Sequence, residues 1–146
     1  MIYYRNDVRG SGVDGRALVA TAKRLLGAVG EPESALSLTL VGDAAMRTLN
    51  REYRGKDRAT DVLSFSLDGA ANLPAERLLG DVVISVDTAR RQAQEYDATL
   101  QREIYRLLIH GLLHLMGHDH AAAPERRVMQ KEERRLADSI ALLWPY

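Results

Sequence analysis

TLQREIYRLLIHGLLHLMGHDH, residues 99–120, joins a long helical pattern to all four histidines of the chain. Its apolar residues recur at helical spacing, which predicts a helix from about Thr99 to Met116. Gly117 follows at the place where helices commonly end through a left-handed residue. Because the stretch is apolar between its histidines, it is not simply a solvated polar loop. The rings either bind something together or are clustered by accident at a helix and its cap.

Shorter elements on both sides of this helix predict an α+β fold. Period-two alternation and β-branched runs predict strands at residues 2–5, 36–41, 61–66 and 80–87. Amphipathic patterns predict helices at about 14–29, 43–53 and 87–96, and Pro124 suits the first turn of a last helix. Residues 67–79 carry Gly and Pro with little periodicity and are predicted to form a loop. We therefore expect a small mixed sheet of about four strands packed with about five helices.

Composition limits the class of protein. A chain of 146 residues with 46% apolar and 27% charged residues is expected to be one soluble domain, spanning residues 1–146. It contains no cysteine, so any metal must be bound by imidazole or oxygen. No secretory signal and no apolar stretch of transmembrane length is recognisable, which predicts a cytoplasmic protein without a membrane partner. A net charge of zero argues against a general electrostatic binder of nucleic acid.

The histidine spacing predicts a metal site. His110 and His114 lie four residues apart on the predicted helix, so their Cβ atoms are roughly 5–6 Å apart on one face. Two imidazole nitrogens can then meet at one zinc ion, at about 2.0–2.1 Å each. A turn at Gly117 can bring a third ligand over the helix end, where Asp119 and His120 are within reach. We choose His120, and three protein ligands with an open fourth position are typical of a catalytic zinc site.

The histidines also have other interpretations. A histidine on an apolar helix face is usually a hydrogen-bonded core residue, and an isolated pair at this spacing is a weak signal. His118 directly follows the turn and could equally be an exposed or a stacking ring. Zinc peptidases carry HExxH, with the glutamate as general base, whereas Gly111 occupies that position here. Proteolysis is therefore not expected.

Three blocks of the sequence resemble one known family. HGLLHLMGHDH is similar to the HGxLHLxGxDH signature of the YbeY-type metal-dependent endoribonucleases, the bacterial rRNA maturation factors. NREYRGKDRATDVLSFS (50–66) resembles the family's N-x-x-Y-R-x-K-D-x-P-T-D-V-L-S-F-P block, and LGDVVIS (79–85) resembles its L-G-D-I-x-I-S strand. The blocks come in the family's order and cover nearly the whole chain. Ala59 and Ser66 stand where proline is usual, and His118 stands where an aromatic residue is common.

The resemblance implies a function. It implies one zinc ion per chain on His110, His114 and His120, and cleavage of single-stranded RNA. It further implies a role in maturing the 3′ end of small-subunit rRNA and in ribosome quality control, with the small subunit or its associated factors as partners. Arg54 is the residue that matches the family's functional arginine. The alternatives are a non-catalytic, zinc-bearing ribosome assembly factor and a small-molecule metallohydrolase, which would need a deep apolar pocket.

The helix predicted at 43–53 carries Arg54 at its end. Asp43 is expected to cap this helix. Its apolar face is predicted to consist of Met46, Leu49 and Tyr53, and its basic face of Arg47, Arg51 and Arg54. Such a basic face can follow an RNA backbone, and one guanidinium can hold the scissile phosphate. For Arg47 an ordinary solvated surface is the favoured interpretation.

Without a glutamate base, the metal has to supply the nucleophile. Zinc can lower the pKa of a bound water towards neutral, and Arg54 can share the negative charge that develops. Asp119 is either a proton acceptor or, as we favour, a residue that forms the turn or orients a histidine. Glu133 lies in the apolar stripe of the last helix, where a carboxylate needs a partner. It is expected either to orient a metal-binding histidine or to pair with a buried arginine.

Overall fold

A four-stranded mixed sheet forms the centre of the protein. The computed structural model describes residues 1–66 and 77–144. Its strands β1 (Ile2–Asn6), β2 (Ala35–Val41), β3 (Val62–Ser66) and β4 (Leu78–Ser85) lie in the order β1-β2-β4-β3. Strands β1, β2 and β4 run parallel, while β3 pairs antiparallel with β4. β1 and β3 are therefore the two edges of the sheet.

Within residues 1–66 and 77–144, five helices pack around this sheet. They are α1 (Gly15–Ala28), α2 (Asp43–Arg54), α3 (Val86–Glu95), α4 (Leu100–Leu115) and α5 (Ala123–Ser139). The four strands and five helices of the described part of the chain confirm the predicted α+β architecture. None of the helices in the described part of the chain is both long and apolar enough to span a bilayer.

The sheet buries both of its faces against helices. Leu38 of β2 and Val82 of β4 belong to the large core, together with apolar residues of α1, α4 and α5. Val83, the next residue of β4, points to the opposite face and packs with Met46 of α2 in a second, smaller cluster. This alternation follows from the period of two along a strand. Helix α4 is the most buried helix, and its residues Leu107, Leu108, Ile109 and Leu112 are at most 1% exposed.

Two predicted strand boundaries and one predicted helix cap were wrong. Strand β4 begins at Leu78, inside the predicted loop at 67–79, while residues 67–76 lie outside the described part of the chain. The strand predicted at 80–87 ends at Ser85, because the Ser85 hydroxyl accepts a hydrogen bond from the Thr88 backbone N–H and caps α3. Asp43 does not cap α2, because Gly42 is its N-cap. The Asp43 carboxylate instead accepts hydrogen bonds from Ser85, Thr88 and Arg91 and so ties α2 to α3.

The predicted apolar face of α2 is only partly correct. Met46 is fully buried and Leu49 is partly buried against the small cluster. Tyr53, one turn further on, is 65% exposed, so its predicted place on the buried face was wrong. Burial thus decreases towards the C-terminal end of α2, where the helix extends beyond the apolar cluster.

Gly111 allows α4 to lie against strands β3 and β4. A methyl group on Gly111 would be 2.9 Å from Cγ1 of Val82, 3.1 Å from Cγ2 of Val62 and 3.1 Å from Oγ of Ser64. The Ser64 hydroxyl donates a 2.9 Å hydrogen bond to the Gly111 carbonyl. Any side chain at this position would push the helix away from the sheet. The glutamate of a zinc peptidase therefore has no room here.

Replacing Gly111 by alanine should destabilise the protein although alanine favours helices. The overpacked methyl group should cost about 1–3 kcal/mol in the free energy of unfolding, measured by urea titration. Gly27→Ala in α1 is the matched control, because nothing lies within 4 Å of the added methyl group. That variant should be about 0.5–1 kcal/mol more stable than wild type. Equal stability of the two variants would contradict the packing argument.

Candidate metal centre

Helix α4 brings two histidines together. The Nε2 atoms of His110 and His114 lie 3.2 Å apart, with ring centroids separated by 4.7 Å. Two nitrogens that each lie about 2.0–2.1 Å from a tetrahedral zinc ion are roughly 3.3 Å apart. The pair therefore already has the spacing of two ligands to one such ion.

The end of α4 turns the chain back towards these two rings. Gly117 has φ +90°, a left-handed conformation that glycine adopts without strain. The N–H groups of Gly117 and His118 donate to the carbonyls of His114 and Leu113, the paired bonds of a Schellman C-cap. The Asp119 carboxylate then accepts from the N–H of His120 at 2.6 Å, which supports the favoured turn-forming role of Asp119.

The third ring completes a group of three. The His120 ring lies 5.5 Å from the His110 ring and 5.3 Å from the His114 ring, between centroids. One nitrogen from each ring lies within 4.8 Å of the others, so the group can hold a metal ion. His118 does not belong to this group. The geometry brings together the three residues chosen from the sequence.

Each of the two helical rings has a partner for its second nitrogen. Nδ1 of His110 faces Oε2 of Glu133 at 3.4 Å, and His114 hydrogen-bonds the backbone of His118. Such partners fix the orientation of a ring and leave its other nitrogen free to bind a metal. Burial, followed by the neighbouring His110 and His120, lowers the pKa of His114 below its ordinary value. The neutral ring, which is the form that binds a metal, is therefore favoured.

Glu133 reaches His110 from helix α5. Glu133 is 8% exposed, and Met129 and Leu136, which lie on either side of it in α5, are buried. Of the two partners expected for this carboxylate, the structure places the histidine beside it. Arg126, two turns earlier in α5, donates to the His120 carbonyl at 3.3 Å. Helix α5 thus contacts both the helical and the returning part of the histidine group.

A polar cleft of about 530 Å³ opens beside the three histidines. All but two of its lining residues carry polar side chains, and the two exceptions are Val62 and Leu63. Three cations line it among the residues that the structure describes: Arg54, Lys56 and Arg58. Asp61 lines it as well, and its Oδ2 accepts a 3.2 Å hydrogen bond from Gln92 of α3. This cleft is not the deep apolar pocket that a small-molecule hydrolase would need.

Arg54 is the last residue of α2 and is fixed by strand β3. Its Nη2 donates a 2.6 Å hydrogen bond to the Ser64 carbonyl, and its guanidinium carbon lies 5.5 Å from the centroid of the Phe65 ring. Ser64 also bonds to Gly111, so one residue connects the arginine to the helix that carries the histidines. The remaining donors of a guanidinium held in this way can face an anion in the cleft.

The other two arginines of the predicted basic face are engaged elsewhere. Arg47 forms a two-point hydrogen-bonded pair with Asp57 at 2.8 and 3.0 Å, and Nη1 of Arg51 lies 3.7 Å from the same carboxylate. The expected basic face therefore reduces to Arg54. The other two cations of the cleft, Lys56 and Arg58, come from the segment after α2. Asn50 holds that segment, because its buried side chain donates to the Arg58 carbonyl.

Sequence reasoning missed the roles of Asn50, Asp61 and Ser64. Ser64 is a polar residue between apolar neighbours in a short strand, which is a weak signal on its own. Asn50 is polar at a helical position next to the apolar face of α2. Only the packing of β3 between α2 and α4 shows that these side chains line or support one cleft.

Comparisons with known proteins agree with this geometry. The family model described as Endoribonuclease YbeY matches residues 9–141. A relative named Endoribonuclease YbeY from Moorella thermoacetica is 43% identical, over 88% of this chain and 90% of the relative. Another of the same name, from Desulforamulus reducens, is 45% identical over 76% of this chain and 75% of the relative. A relative of the same name from Myxococcus xanthus is 56% identical over 69% of this chain, a match that spans 35% of that protein's own length.

A solved structure supports the fold independently. The solution structure of TM1509 from Thermotoga maritima matches with a TM-score of 0.60 and 24% identity, over 97% of this chain and 92% of that one. At this level of identity the likeness concerns the fold alone. The family match, by contrast, covers most of the chain and includes all residues of the histidine group. The chain belongs to the YbeY family of endoribonucleases.

Proposed function

We propose that this protein is a zinc-dependent endoribonuclease that cuts single-stranded RNA, with residues 1–146 acting as one catalytic domain. The observation that carries the proposal is the group of three histidine nitrogens at the edge of a cleft lined by Arg54, Lys56 and Arg58. Imidazole ligands suit zinc, and converging cations suit the phosphates of a nucleic acid backbone. Membership of the endoribonuclease family supports the choice of RNA as substrate.

His110, His114 and His120 would hold one zinc ion per chain. When bound, zinc would supply a Lewis acid that lowers the pKa of a water ligand and stabilises negative charge. The group contains three protein ligands among the described residues, which leaves a coordination position open for solvent or substrate. Glu133 would keep the His110 ring oriented with Nε2 towards the ion.

Arg54 would bind the scissile phosphate. Its guanidinium lines the same cleft as the histidines and is fixed by the Ser64 carbonyl. A donor fixed before the reaction needs little reorganisation when charge develops on the phosphate oxygens, so it can stabilise the transition state more than the ground state. Lys56 and Arg58 would hold neighbouring phosphates of the strand.

The natural substrate would be ribosomal RNA. We place the protein at the 3′ end of small-subunit rRNA and in ribosome quality control, in contact with the small subunit or its associated factors. Such a substrate would place it in the cytoplasm. The family of rRNA maturation factors that the sequence resembles supports this choice, and the cleft next to the histidines is compatible with a single strand.

The competing function is a zinc-bearing assembly factor without catalytic activity. It would need the metal only to hold the end of α4, for which four protein ligands are usual. A cleavage assay on a labelled single-stranded RNA distinguishes the enzyme from the assembly factor. It compares the zinc-loaded wild type with the His114→Ala variant. Metal-dependent cleavage by the wild type and none by the variant supports the enzyme. RNA binding without cleavage by the wild type supports the assembly factor.

Arg54→Ala separates phosphate binding from metal binding. Loss of one charge-assisted donor to the transition state should lower the cleavage rate about 10²–10³-fold. Zinc stoichiometry and thermal stability should stay close to wild type.

The reason is that the Arg54 hydrogen bond goes to a backbone carbonyl of β3, so its removal leaves the three histidines and their own partners in place. Arg54→Lys should restore activity only in part, since a point charge cannot reproduce a planar fork. Arg47→Ala is the matched control, because Arg47 lies on the same helix and pairs with Asp57. It should cut RNA like the wild type. Full activity of Arg54→Ala would make this residue ordinary surface charge, and loss of zinc would make it structural.

Glu133→Ala should weaken zinc binding without removing a ligand. Loss of a carboxylate that orients a metal-binding histidine typically lowers metal affinity about 10–100-fold. The measurement is a competition titration against a chromophoric zinc chelator. Glu133→Gln should lose less, because its amide oxygen can still accept from Nδ1 of His110. Glu132→Ala is the control, because the neighbouring Glu132 pairs with Arg135. Equal zinc affinities of Glu133→Ala and Glu132→Ala would show that Glu133 does not orient the ring.

A further inference from the structure

Tyr53 is a large aromatic residue with no place in either apolar core. It is 65% exposed, compared with 50% for Tyr3 and 40% for Tyr96. The amphipathic pattern of α2 predicted it on the buried face, beside Met46 and Leu49. Because α2 extends beyond the small apolar cluster at this end, the ring is open to solvent instead. An exposed aromatic ring next to a polar cleft is the kind of surface on which another flat ring can stack.

The ring of Tyr53 is nevertheless fixed in place. It meets the ring of Phe65 edge to face, with centroids 5.4 Å apart and an interplanar angle of 65°. Phe65 in turn packs against the small cluster formed by Val41, Met46, Leu63 and Val83. A ring that is already held in one orientation loses little conformational entropy when it binds a partner. Tyr53 therefore combines exposure with preorganisation.

Phe65 also connects Tyr53 to the cleft. The guanidinium of Arg54 lies over the Phe65 ring, so Tyr53 and Arg54 contact the same side chain. Arg54 lines the cleft that contains the three histidines, together with Lys56 and Arg58. The aromatic surface thus begins one side chain away from the proposed phosphate site. Alternating cationic and aromatic groups are how proteins bind single strands, whose phosphates and bases alternate.

From this arrangement we propose that Tyr53 stacks on an unpaired base of the RNA next to the phosphate held by Arg54, and so selects single-stranded over double-stranded RNA. The inference rests on the proposed endoribonuclease function. Bases in a duplex are already stacked on their neighbours, so only an unpaired base can turn onto the tyrosine ring. Because every base has a flat face, the contact would choose strandedness and not sequence. Tyr53 is thus a specificity-determining residue, distinct from the metal ligands and from Arg54.

The test combines variants of the zinc-loaded full chain with a matched pair of substrates. Rapid mixing with a single-stranded RNA that contains 2-aminopurine reports stacking as fluorescence quenching before cleavage occurs. Tyr53→Ala should weaken binding about 5- to 150-fold, the range expected for one base–aromatic contact. Tyr53→Phe should bind like the wild type, since it keeps the ring. Tyr3→Ala is the control, because Tyr3 lies on β1, the opposite edge of the sheet from β3.

A second RNA, with one base removed beside the cut site, distinguishes stacking from a general effect on the fold. Wild type and Tyr53→Ala should bind this abasic RNA equally well. The apparent KM for intact RNA should rise in Tyr53→Ala, with kcat changed much less. The proposal is overturned if Tyr53→Ala binds intact single-stranded RNA like Tyr3→Ala, or if it weakens the intact and the abasic RNA by the same factor. If the wild type shows quenching that depends on Tyr53 but does not cleave the RNA, the endoribonuclease function is refuted and the stacking site stands.

Discussion

The close packing of Gly111 against Ser64 is the contact on which the site depends. It lets α4 approach β3 so closely that the Ser64 hydroxyl bonds to a carbonyl of the helix. The same serine accepts a hydrogen bond from Arg54 through its own carbonyl. A single residue of an edge strand thus connects the arginine to the helix that carries His110 and His114. A larger residue at position 111 would separate the two halves of the site.

The three histidines are positioned by different physical means. His110 and His114 share a face of α4 because of the helical repeat, and His110 is further oriented by Glu133. His120 depends on the left-handed Gly117, on the turn formed by Asp119 and on the bond from Arg126 to its carbonyl. Its ring is also the more exposed, while the helical rings are partly buried. The arrangement combines a rigid pair with a third ligand on a short, tethered segment.

The sequence was sufficient to predict the parts of the site that depend on local geometry. Helical spacing and a glycine stop predicted the histidine group, and alternation predicted the sheet strands that flank it. The errors came from contacts between distant segments. Asp43 looked like a cap, but its carboxylate bonds across to α3, and Arg51 belonged to the predicted basic face, but its Nη1 lies 3.7 Å from the Asp57 carboxylate. Tyr53 fits the helical repeat of the apolar residues in α2, but this repeat does not show that α2 extends beyond the small apolar cluster at that end.

The most direct test of the account is the position of a bound metal ion. Crystals of the zinc-loaded protein, measured on both sides of the zinc absorption edge, locate the ion through its anomalous scattering. We expect one peak per chain, coordinated by His110, His114 and His120 and by no fourth protein ligand, with Arg54 facing the same cleft. A closed site with four protein ligands, or a peak away from these three rings, would contradict it.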